Sequence, residues 1–187
     1  MVVNANIAPF INQTFYVTGE YGTVRTTHTH VGVDLATSGT EGANLYSMVN
    51  GTVIYKDYSS VRGNYIIMKS DETGIAFNYQ HMENSSPLNV GDKIVIGQFV
   101  GIEGSTGQVT GKHLHLEEQD LSSGRDWNFS TNIDYFKNPC EFMVIPNVTG
   151  TECYYDGTPI PPKPTPVKKK KKFKWAIFTR VIRERRI

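Results

Sequence analysis

The sequence lacks the features that define several protein classes. No apolar run approaches the roughly 20 residues that a membrane-spanning helix needs. The first residues show neither the basic region nor the apolar region of a secretory signal. Long segments with a 3.6-residue apolar period are missing as well, which favours a mostly β core. We therefore expect neither an integral membrane protein, with its transmembrane helices, nor a protein exported by a signal peptide of its own.

Cysteine is scarce. The chain has 187 residues and two cysteines, Cys140 and Cys153. Two are too few for a tetrathiolate metal site or for a framework of several disulfides. A single disulfide and two free thiols both remain open, because nothing in the sequence fixes the redox compartment.

Charge is balanced overall but unevenly distributed. The net charge of +1 combines 8 basic and 17 acidic residues in positions 1–162 with 11 basic residues and one acidic residue from Lys163 onward. The proline-rich segment TPIPPKPTPV separates the two parts and is typical of an extended linker. The sequence therefore predicts four regions: a lead-in (1–14), a main domain (15–145), a linker (146–167) and a basic amphipathic tail (168–187).

The main domain is predicted to be mostly β, in a β-rich α+β class. From Phe15 to Leu121, short β-branched or aromatic runs alternate with glycines, as in FYVTG, GTVIYKD and GNYIIMKSDETG. This pattern favours an antiparallel sheet or a β-sandwich over alternating β and α units. A short helix is expected at Thr131 to Phe136, with Pro139 ending that turn.

The histidines carry the clearest chemical signal. Four of the five fall into two clusters, His28 and His30 in HTHVGVDL and His113 and His115 in GKHLHLE, whereas His81 stands alone in NYQHM. Residues two apart on a strand point to the same face, so the two histidines of the second cluster project together. In the first cluster, His30 and Asp34 share a face.

Two imidazoles and a carboxylate form a set of nitrogen and oxygen ligands that suits zinc. Three protein ligands with an open fourth position are typical of a catalytic zinc site, where a water molecule completes the coordination. The residues alone leave open which histidine of each cluster is the ligand.

Several motifs resemble the lysostaphin and LytM family of zinc metallo-endopeptidases. The stretch YGTVRTTHTHVGVDLAT contains that family's H-x-x-x-D motif, and GANLYSMVNGTVIY continues it. NYQHM is similar to the YxHL segment, and GSTGQVTGKHLHLE is similar to the glycine-rich approach to the H-x-H motif. The resemblance spans Phe15 to Glu117, with the motifs in the family's order and spacing.

The resemblance implies one Zn²⁺ per chain and a role for each site residue. His30, Asp34 and His115 correspond to the zinc ligands, and His81 and His113 to the catalytic histidines. His28 forms a second H-x-H with His30 and is the alternative ligand, although only His30 stands at the family's spacing from Asp34. A cleft around the zinc, walled by glycine-rich loops, is expected in an antiparallel peptidase core.

The resemblance also implies an activity, which is hydrolysis of peptide bonds in peptidoglycan stem peptides or cross-bridges. The alternative is a non-catalytic structural or wall-binding phage tail module that keeps the fold. The lack of an export signal favours a phage tail-tip or lysis enzyme (endolysin), located in a virion tail or at the extracellular host wall, with other tail proteins as partners.

The basic tail, Lys168–Ile187, interleaves aromatic and aliphatic residues with cations. This pattern is typical of a segment that binds anionic membranes or wall polymers, and the alternative is a solvated arm. No specific nucleic-acid partner is predicted, since only charge favours one.

Overall fold

Short strands make up most of the regular secondary structure in the computed structural model, which describes residues 1–157. In that range the helical elements are one 3-10 helix, Ile133–Tyr135, and one α-helix, α1, Pro139–Met143. The strands are β1 Val3–Asn4, β2 Gln13–Gly19, β3 Gly32–Thr37, β4 Asn44–Tyr46, β5 Gly51–Ser59, β6 Gly63–Ser70, β7 Ile75–Met82, β8 Lys93–Ile94, β9 Phe99–Ile102, β10 Leu114–Asp120 and β11 Glu152–Tyr155.

Nine of the strands in the described range form one sheet. Their order is β1-β11-β2-β3-β10-β7-β6-β5-β8, and β4 and β9 pair separately. The β1–β11 pair is parallel and the other pairs are antiparallel. The predicted β-rich class is confirmed, as a large mixed sheet with a largely antiparallel core.

Alternation along the central strands separates apolar from polar side chains. One face of β3, β10 and β7 contributes to the main hydrophobic core, through Val33, Leu35, Leu114, Leu116, Phe77 and Tyr79. Because strand side chains alternate, the residues between them point to the opposite face. Asp34, His115, Glu117, Asn78 and Gln80 occupy that face. A polar strip therefore crosses three neighbouring strands in the middle of the sheet.

The ends of the domain differ from the predicted boundaries. Glu152–Tyr155 fall in the segment assigned to the linker but form β11, which pairs with β2 and β1. Cys153 and Tyr155 bury their side chains there, which explains why this segment joins the sheet. The lead-in contributes Val3–Asn4 as β1 and places Phe10 in the core. Residues 158–167 of the predicted linker and the whole basic tail lie outside the described residues.

Helix α1 begins at Pro139, the residue that was predicted to end a preceding helical turn. Asn138 caps α1, since its side chain accepts a hydrogen bond from the Cys140 N–H, and Pro139 occupies the first turn. Proline is favoured there because its fixed φ suits the helix. The N–H groups of the first turn have no acceptor within the helix, so proline loses no hydrogen bond by lacking one. The segment predicted to be helical, Thr131 to Phe136, contains only the three-residue 3-10 helix.

Both cysteines, Cys140 and Cys153, are buried as free thiols. Burial raises the pKa of the Cys140 thiol to about 12, so this group stays protonated at neutral pH. In the part of the chain that the structure describes, no helix is long and apolar enough to cross a membrane.

Candidate metal centre

The polar strip on the sheet brings the first two predicted ligands together. His115 lies directly opposite Asp34 on β3 and opposite Gln80 on β7. Side chains that oppose each other across antiparallel strands share a face, so all three point the same way. Glycine makes room for them, because a Cβ on Gly32 would lie 2.7 Å from His115 Nε2 and a Cβ on Gly19 would overlap the Asp34 carboxylate.

His30 completes the group. It precedes β3 and is 2% exposed. Its Nε2 lies 3.1 Å from Asp34 Oδ1 and 3.0 Å from His115 Nδ1, and His115 Nδ1 lies 2.8 Å from Asp34 Oδ1. Among the described residues this is the group of His, Cys, Asp and Glu side chains that can hold a metal ion. The two histidines and the aspartate predicted from the sequence therefore meet at one point.

Hydrogen bonds on the outer side fix the tautomer of each imidazole. His30 Nδ1 lies 2.7 Å from the Glu20 carbonyl oxygen, which can only accept, so Nδ1 carries the proton. His115 Nε2 lies 3.3 Å from Glu117 Oε1 and donates to it. The inward atoms, His30 Nε2 and His115 Nδ1, are therefore lone-pair nitrogens in the neutral rings.

Asp34 divides its two carboxylate oxygens between different partners. Oδ1 faces the two imidazoles, and Oδ2 accepts a hydrogen bond of 2.9 Å from Arg25 Nη2. Burial by itself would raise the pKa of Asp34, but the hydrogen bonds with His115 and His30 outweigh it and hold the pKa well below its usual range. Asp34 is therefore ionised and held in one orientation.

His115 is held by two buried carboxylates. Burial disfavours its charged form, yet the hydrogen bonds to Asp34 and Glu117 raise its pKa to about 9. Glu117 also accepts a hydrogen bond of 2.9 Å from Asn78 Nδ2. Burial would raise the pKa of Glu117, but the hydrogen bond with His115 lowers it. An outer carboxylate that orients a ligating histidine is a common feature of metal sites.

His81, the second-last residue of β7, has an unusual backbone conformation. Its φ of 63° lies in the left-handed region, which non-glycine residues rarely adopt. The His81 N–H donates to the Arg62 carbonyl at 2.9 Å, and Nδ1 donates to the Thr106 carbonyl at 2.9 Å. Burial and the neighbouring His115 lower the pKa of His81 to about 4, so the ring is neutral at pH 7 with a lone pair on Nε2.

His113 lies beside His81. The two ring centroids are 4.9 Å apart, and His113 Nε2 lies 3.7 Å from Asp34 Oδ1. His113 Nδ1 donates to the Gly111 carbonyl at 2.9 Å, which leaves Nε2 as its lone-pair nitrogen. His28 stays apart from this group. It is exposed, and its Nδ1 contacts Thr27 Oγ1 at 3.0 Å.

Thr106 is a site residue that the sequence did not single out. Its hydroxyl accepts a hydrogen bond from the Asn64 N–H at 3.0 Å and donates to the Met82 carbonyl at 2.7 Å. Its own carbonyl holds His81 Nδ1. One threonine thus connects the glycine-rich loop to two strands beside His81. Threonine is common in loops, so no sequence signal marked it.

Lys112 and Glu103 form a second support that the sequence did not indicate. Lys112 Nζ lies 2.6 Å from Glu103 Oε2, and the Glu103 side chain is fully buried. Glu103 also accepts hydrogen bonds from the N–H and hydroxyl of Thr37. This ion pair connects Lys112, the residue before His113, to the end of β3. Burial of the Glu103 carboxylate is tolerated because Lys112 and Thr37 supply its hydrogen bonds.

A cleft of about 430 Å³ opens over the group. His30, His81 and His115 line it, together with Glu117 and Gln80 from the polar strip. Two arginines, Arg25 and Arg62, also line the cleft. The walls come from the segment before β3, the β5–β6 turn and the glycine-rich loop before β10.

The donor set fits zinc. When both imidazoles are neutral, two lone-pair nitrogens and a carboxylate oxygen lie within 3.1 Å of one another, and all three direct lone pairs to the same point. Such an arrangement is unfavourable without a cation or a shared proton between the atoms. Tetrahedral zinc, with bonds of about 2.0–2.1 Å, separates its ligand atoms by about 3.3 Å, close to the observed distances.

Residues 28–127, more than half of the chain, match the family model of peptidase family M23. The chain belongs to peptidase family M23. The match covers all five residues that the resemblance assigned to the site, and it confirms both the family resemblance and the peptidase fold.

One curated relative of this family M23 chain is the peptidoglycan DD-endopeptidase ShyC of Vibrio cholerae. The two are 33% identical over 76 residues, which cover 41% of this chain and 17% of ShyC. The match therefore spans less than a fifth of that relative's length.

Two solved structures resemble this family M23 chain in fold and sequence. The catalytic domain of the prophage-encoded M23 protein EnpA from Enterococcus faecalis is 27% identical, with a TM-score of 0.55, and the match covers 71% of this chain and 95% of that one. A zinc-containing peptidase from Vibrio cholerae is 26% identical, with a TM-score of 0.53, and the match covers 63% of this chain and 36% of that one.

Proposed function

We propose that this member of peptidase family M23 is a zinc-dependent endopeptidase that hydrolyses peptide bonds in bacterial peptidoglycan, in stem peptides or in cross-bridges. The convergence of His30 Nε2, His115 Nδ1 and Asp34 Oδ1 within 3.1 Å carries the proposal. Two comparisons support it. ShyC is named a peptidoglycan DD-endopeptidase, and a structural relative is described as zinc-containing.

His30, Asp34 and His115 would hold one Zn²⁺ through these three atoms. Bound zinc supplies a water-derived nucleophile at neutral pH and polarises the peptide carbonyl. The chain's own contribution is to hold the ligands rigidly. Arg25, Glu117 and the Glu20 carbonyl fix the outer atoms of the three side chains, which keeps the inner lone pairs aligned.

His113 takes the role of proton carrier. Its Nδ1–H is held by the Gly111 carbonyl, so Nε2 is the atom that accepts a proton. Nε2 lies 3.7 Å from Asp34 Oδ1 and is therefore close to the point where the ligand atoms converge. A proton accepted there can then be donated to the leaving amine, which is general base and then general acid catalysis.

His81 takes the role of stabiliser for the negative charge that develops on the carbonyl oxygen. Its Nδ1–H is committed to Thr106, so Nε2 is the atom that faces this charge, and it donates a hydrogen bond there after it has taken up a proton from bulk solvent.

The proposed function is tested by digesting purified sacculi with the zinc-loaded protein and identifying the released peptides by mass spectrometry. The controls are a chelator, His115→Ala, and His28→Ala as the matched variant. His28 belongs to the other H-x-H motif and lines the same cleft, but it lies outside the ligand group. We expect new amino termini with the wild type and with His28→Ala, and none with chelator or His115→Ala.

Two outcomes would contradict the proposal. Absence of cleavage by the zinc-loaded protein across several wall chemotypes would favour the non-catalytic structural or wall-binding module. Loss of zinc in His28→Ala but not in His30→Ala would move the ligand position to His28.

The biological setting proposed for the enzyme is a phage tail tip or lysis system acting on the extracellular host wall. The likeness to a prophage-encoded M23 protein supports this setting. Mass spectrometry of purified virions from a phage encoding the chain tests it. Peptides of the chain in the virion favour the tail role, and their absence favours the lysis role.

The basic tail, residues 168–187, is proposed to bind an anionic membrane or wall polymer. Its five consecutive lysines followed by aromatic and aliphatic residues support this proposal. Deleting residues 168–187 should abolish binding to anionic vesicles while leaving the cleavage of soluble peptides unchanged. Unchanged vesicle binding after the deletion would contradict a membrane-binding role for this tail.

A further inference from the structure

The two arginines in the cleft differ in whether a carboxylate already neutralises them. Arg25 Nη2 lies 2.9 Å from Asp34 Oδ2. Arg62 makes no ion pair within residues 1–157. Its guanidinium carbon lies 5.2 Å from the centre of the Phe129 ring, and Nη2 donates to the Phe129 carbonyl at 2.9 Å. Arg62 is therefore held in place by neutral groups, with further N–H donors available.

The position of Arg62 is tied to the candidate catalytic group. Its carbonyl accepts the N–H of His81 at 2.9 Å. The side chain then runs along the wall of the cleft. Glu117 interacts with Arg62 electrostatically without forming an ion pair, and its two oxygens already bond His115 Nε2 and Asn78 Nδ2. Among the described residues, a fixed cation beside His81 is thus left without an ion-pair partner and can bind a substrate group.

Gln80 is a second donor on the same wall. It is 4% exposed, lines the cleft and lies opposite His115 in the sheet. Its Nε2 is buried without a hydrogen-bond partner among the described residues. An unsatisfied buried donor is unfavourable, so the amide is suited to a ligand that brings an oxygen acceptor.

We propose that the cleft selects an acidic peptide, with Arg62 binding a substrate carboxylate beside the scissile bond and Gln80 donating to a neighbouring carbonyl oxygen. The inference rests on the proposed peptidase function and narrows its substrate. A stem peptide that carries free carboxylates satisfies both donors. An oligoglycine cross-bridge offers carbonyl oxygens but no carboxylate, and it leaves Arg62 unpaired.

The test compares two forms of one dye-labelled, cross-linked stem-peptide dimer. One form keeps its carboxylates, and the other has them converted to amides by carbodiimide coupling with ammonia. Fluorescence anisotropy measures binding to the zinc-loaded protein in a His113→Ala background, which slows turnover. We expect the acidic form to bind about tenfold more tightly, as a charge-assisted hydrogen bond of about 1.5 kcal/mol implies.

Arg62→Gln should remove this preference, and Arg125→Gln is the matched control. Arg125 also stacks on a ring, 5.8 Å from the centre of Tyr135, and donates to the Asp120 carbonyl at 2.9 Å, but it does not line the cleft. The control should keep the preference. Gln80→Leu should weaken the binding of both forms by a similar factor, because a carbonyl acceptor is present in each.

Equal binding of both forms by the wild type, or a preference that survives Arg62→Gln, would overturn the inference. So would a loss of bound zinc in Arg62→Gln, since Arg62 would then act through Glu117. The binding measurement tests the substrate preference and the sacculus digestion tests the proposed function, so either can fail without the other. A preference for the acidic form without any cleavage would contradict the proposed function alone, and cleavage without a preference would contradict the inference alone.

Discussion

Gly32 lies directly beneath the imidazole of His115. A Cβ at position 32 would stand 2.7 Å from His115 Nε2 and 2.6 Å from the Leu116 carbonyl oxygen. Gly32→Ala should therefore push the ring away from Asp34 and lower the affinity for zinc about tenfold or more, as the loss of ligand orientation does in other metal sites. Competition with a fluorescent chelator measures the affinity. Gly111→Ala is the control, because a Cβ there meets no atom within 4 Å, and equal affinities in the two variants would count against this crowding.

The two histidines of the H-x-H motif should separate in their effects. His115→Ala removes an atom of the proposed ligand group and should abolish zinc binding and cleavage together. His113→Ala removes only the proposed proton carrier and should lower kcat about 100-fold or more with one zinc still bound. Metal analysis alongside peptide kinetics makes the comparison. A zinc-free His113→Ala protein would place His113 among the ligands.

Thr106→Val should weaken catalysis without removing zinc. The valine keeps the shape of threonine but loses the hydroxyl that joins Asn64 to Met82. We expect a loss of about 1–2 kcal/mol in the free energy of unfolding and a fall in kcat, because the loop that orients His81 loosens. Thr106→Ser restores the hydroxyl and should recover most of the activity. A serine variant as poor as valine would assign the effect to packing.

Glu118 should make stability depend on pH. Burial and the nearby Glu141 raise the pKa of Glu118 from 4.5 to about 7, and its Oε2 is buried without a partner among the described residues. The folded state therefore binds more protons than the unfolded state between pH 4.5 and 7, so this group lowers stability as pH rises through that window. Glu118→Gln should match the wild type near pH 4.5 and exceed it at pH 8 by about 1–3 kcal/mol. Urea unfolding of the metal-free proteins tests this, and parallel pH curves would contradict it.

Bound zinc should stabilise the folded protein against unfolding. A ligand that binds only the native state at 100 times its Kd contributes about 2.7 kcal/mol. Adding a chelator should therefore lower the Tm of the wild type, while the Tm of His115→Ala should not respond. Thermal scans at a fixed protein concentration measure both shifts. If the chelator left the Tm of the wild type unchanged, the native protein would not bind zinc.

Periodicity located the central strands and the faces of their side chains. The alternation of Leu114, His115 and Leu116 was sufficient to predict which side chains point away from the core. These features follow from local geometry. The family motifs then assigned a role to each of the five positions, and the structure brings all five side chains together.

Other contacts depend on tertiary structure that a local pattern does not contain. Arg25 and Asp34 are nine residues apart, but Thr106 and His81 are 25 apart, and Lys112 reaches Thr37 over 75 residues. The strand at Glu152–Tyr155 follows a stretch with turn residues and precedes prolines, so composition placed it in the linker. Its pairing with β2, more than 100 positions away, decided the outcome.

The pairing of β3 with β10 also has a kinetic consequence. Asp34 and His115 are 81 positions apart, and they meet in the ligand group only when the strands that carry them have paired. Contacts of such long sequence separation form slowly, because the entropy of closing the chain is lost before the contact forms. The proposed metal centre is thus assembled only in the nearly complete fold, and a nascent or partly folded chain lacks it by virtue of its topology alone.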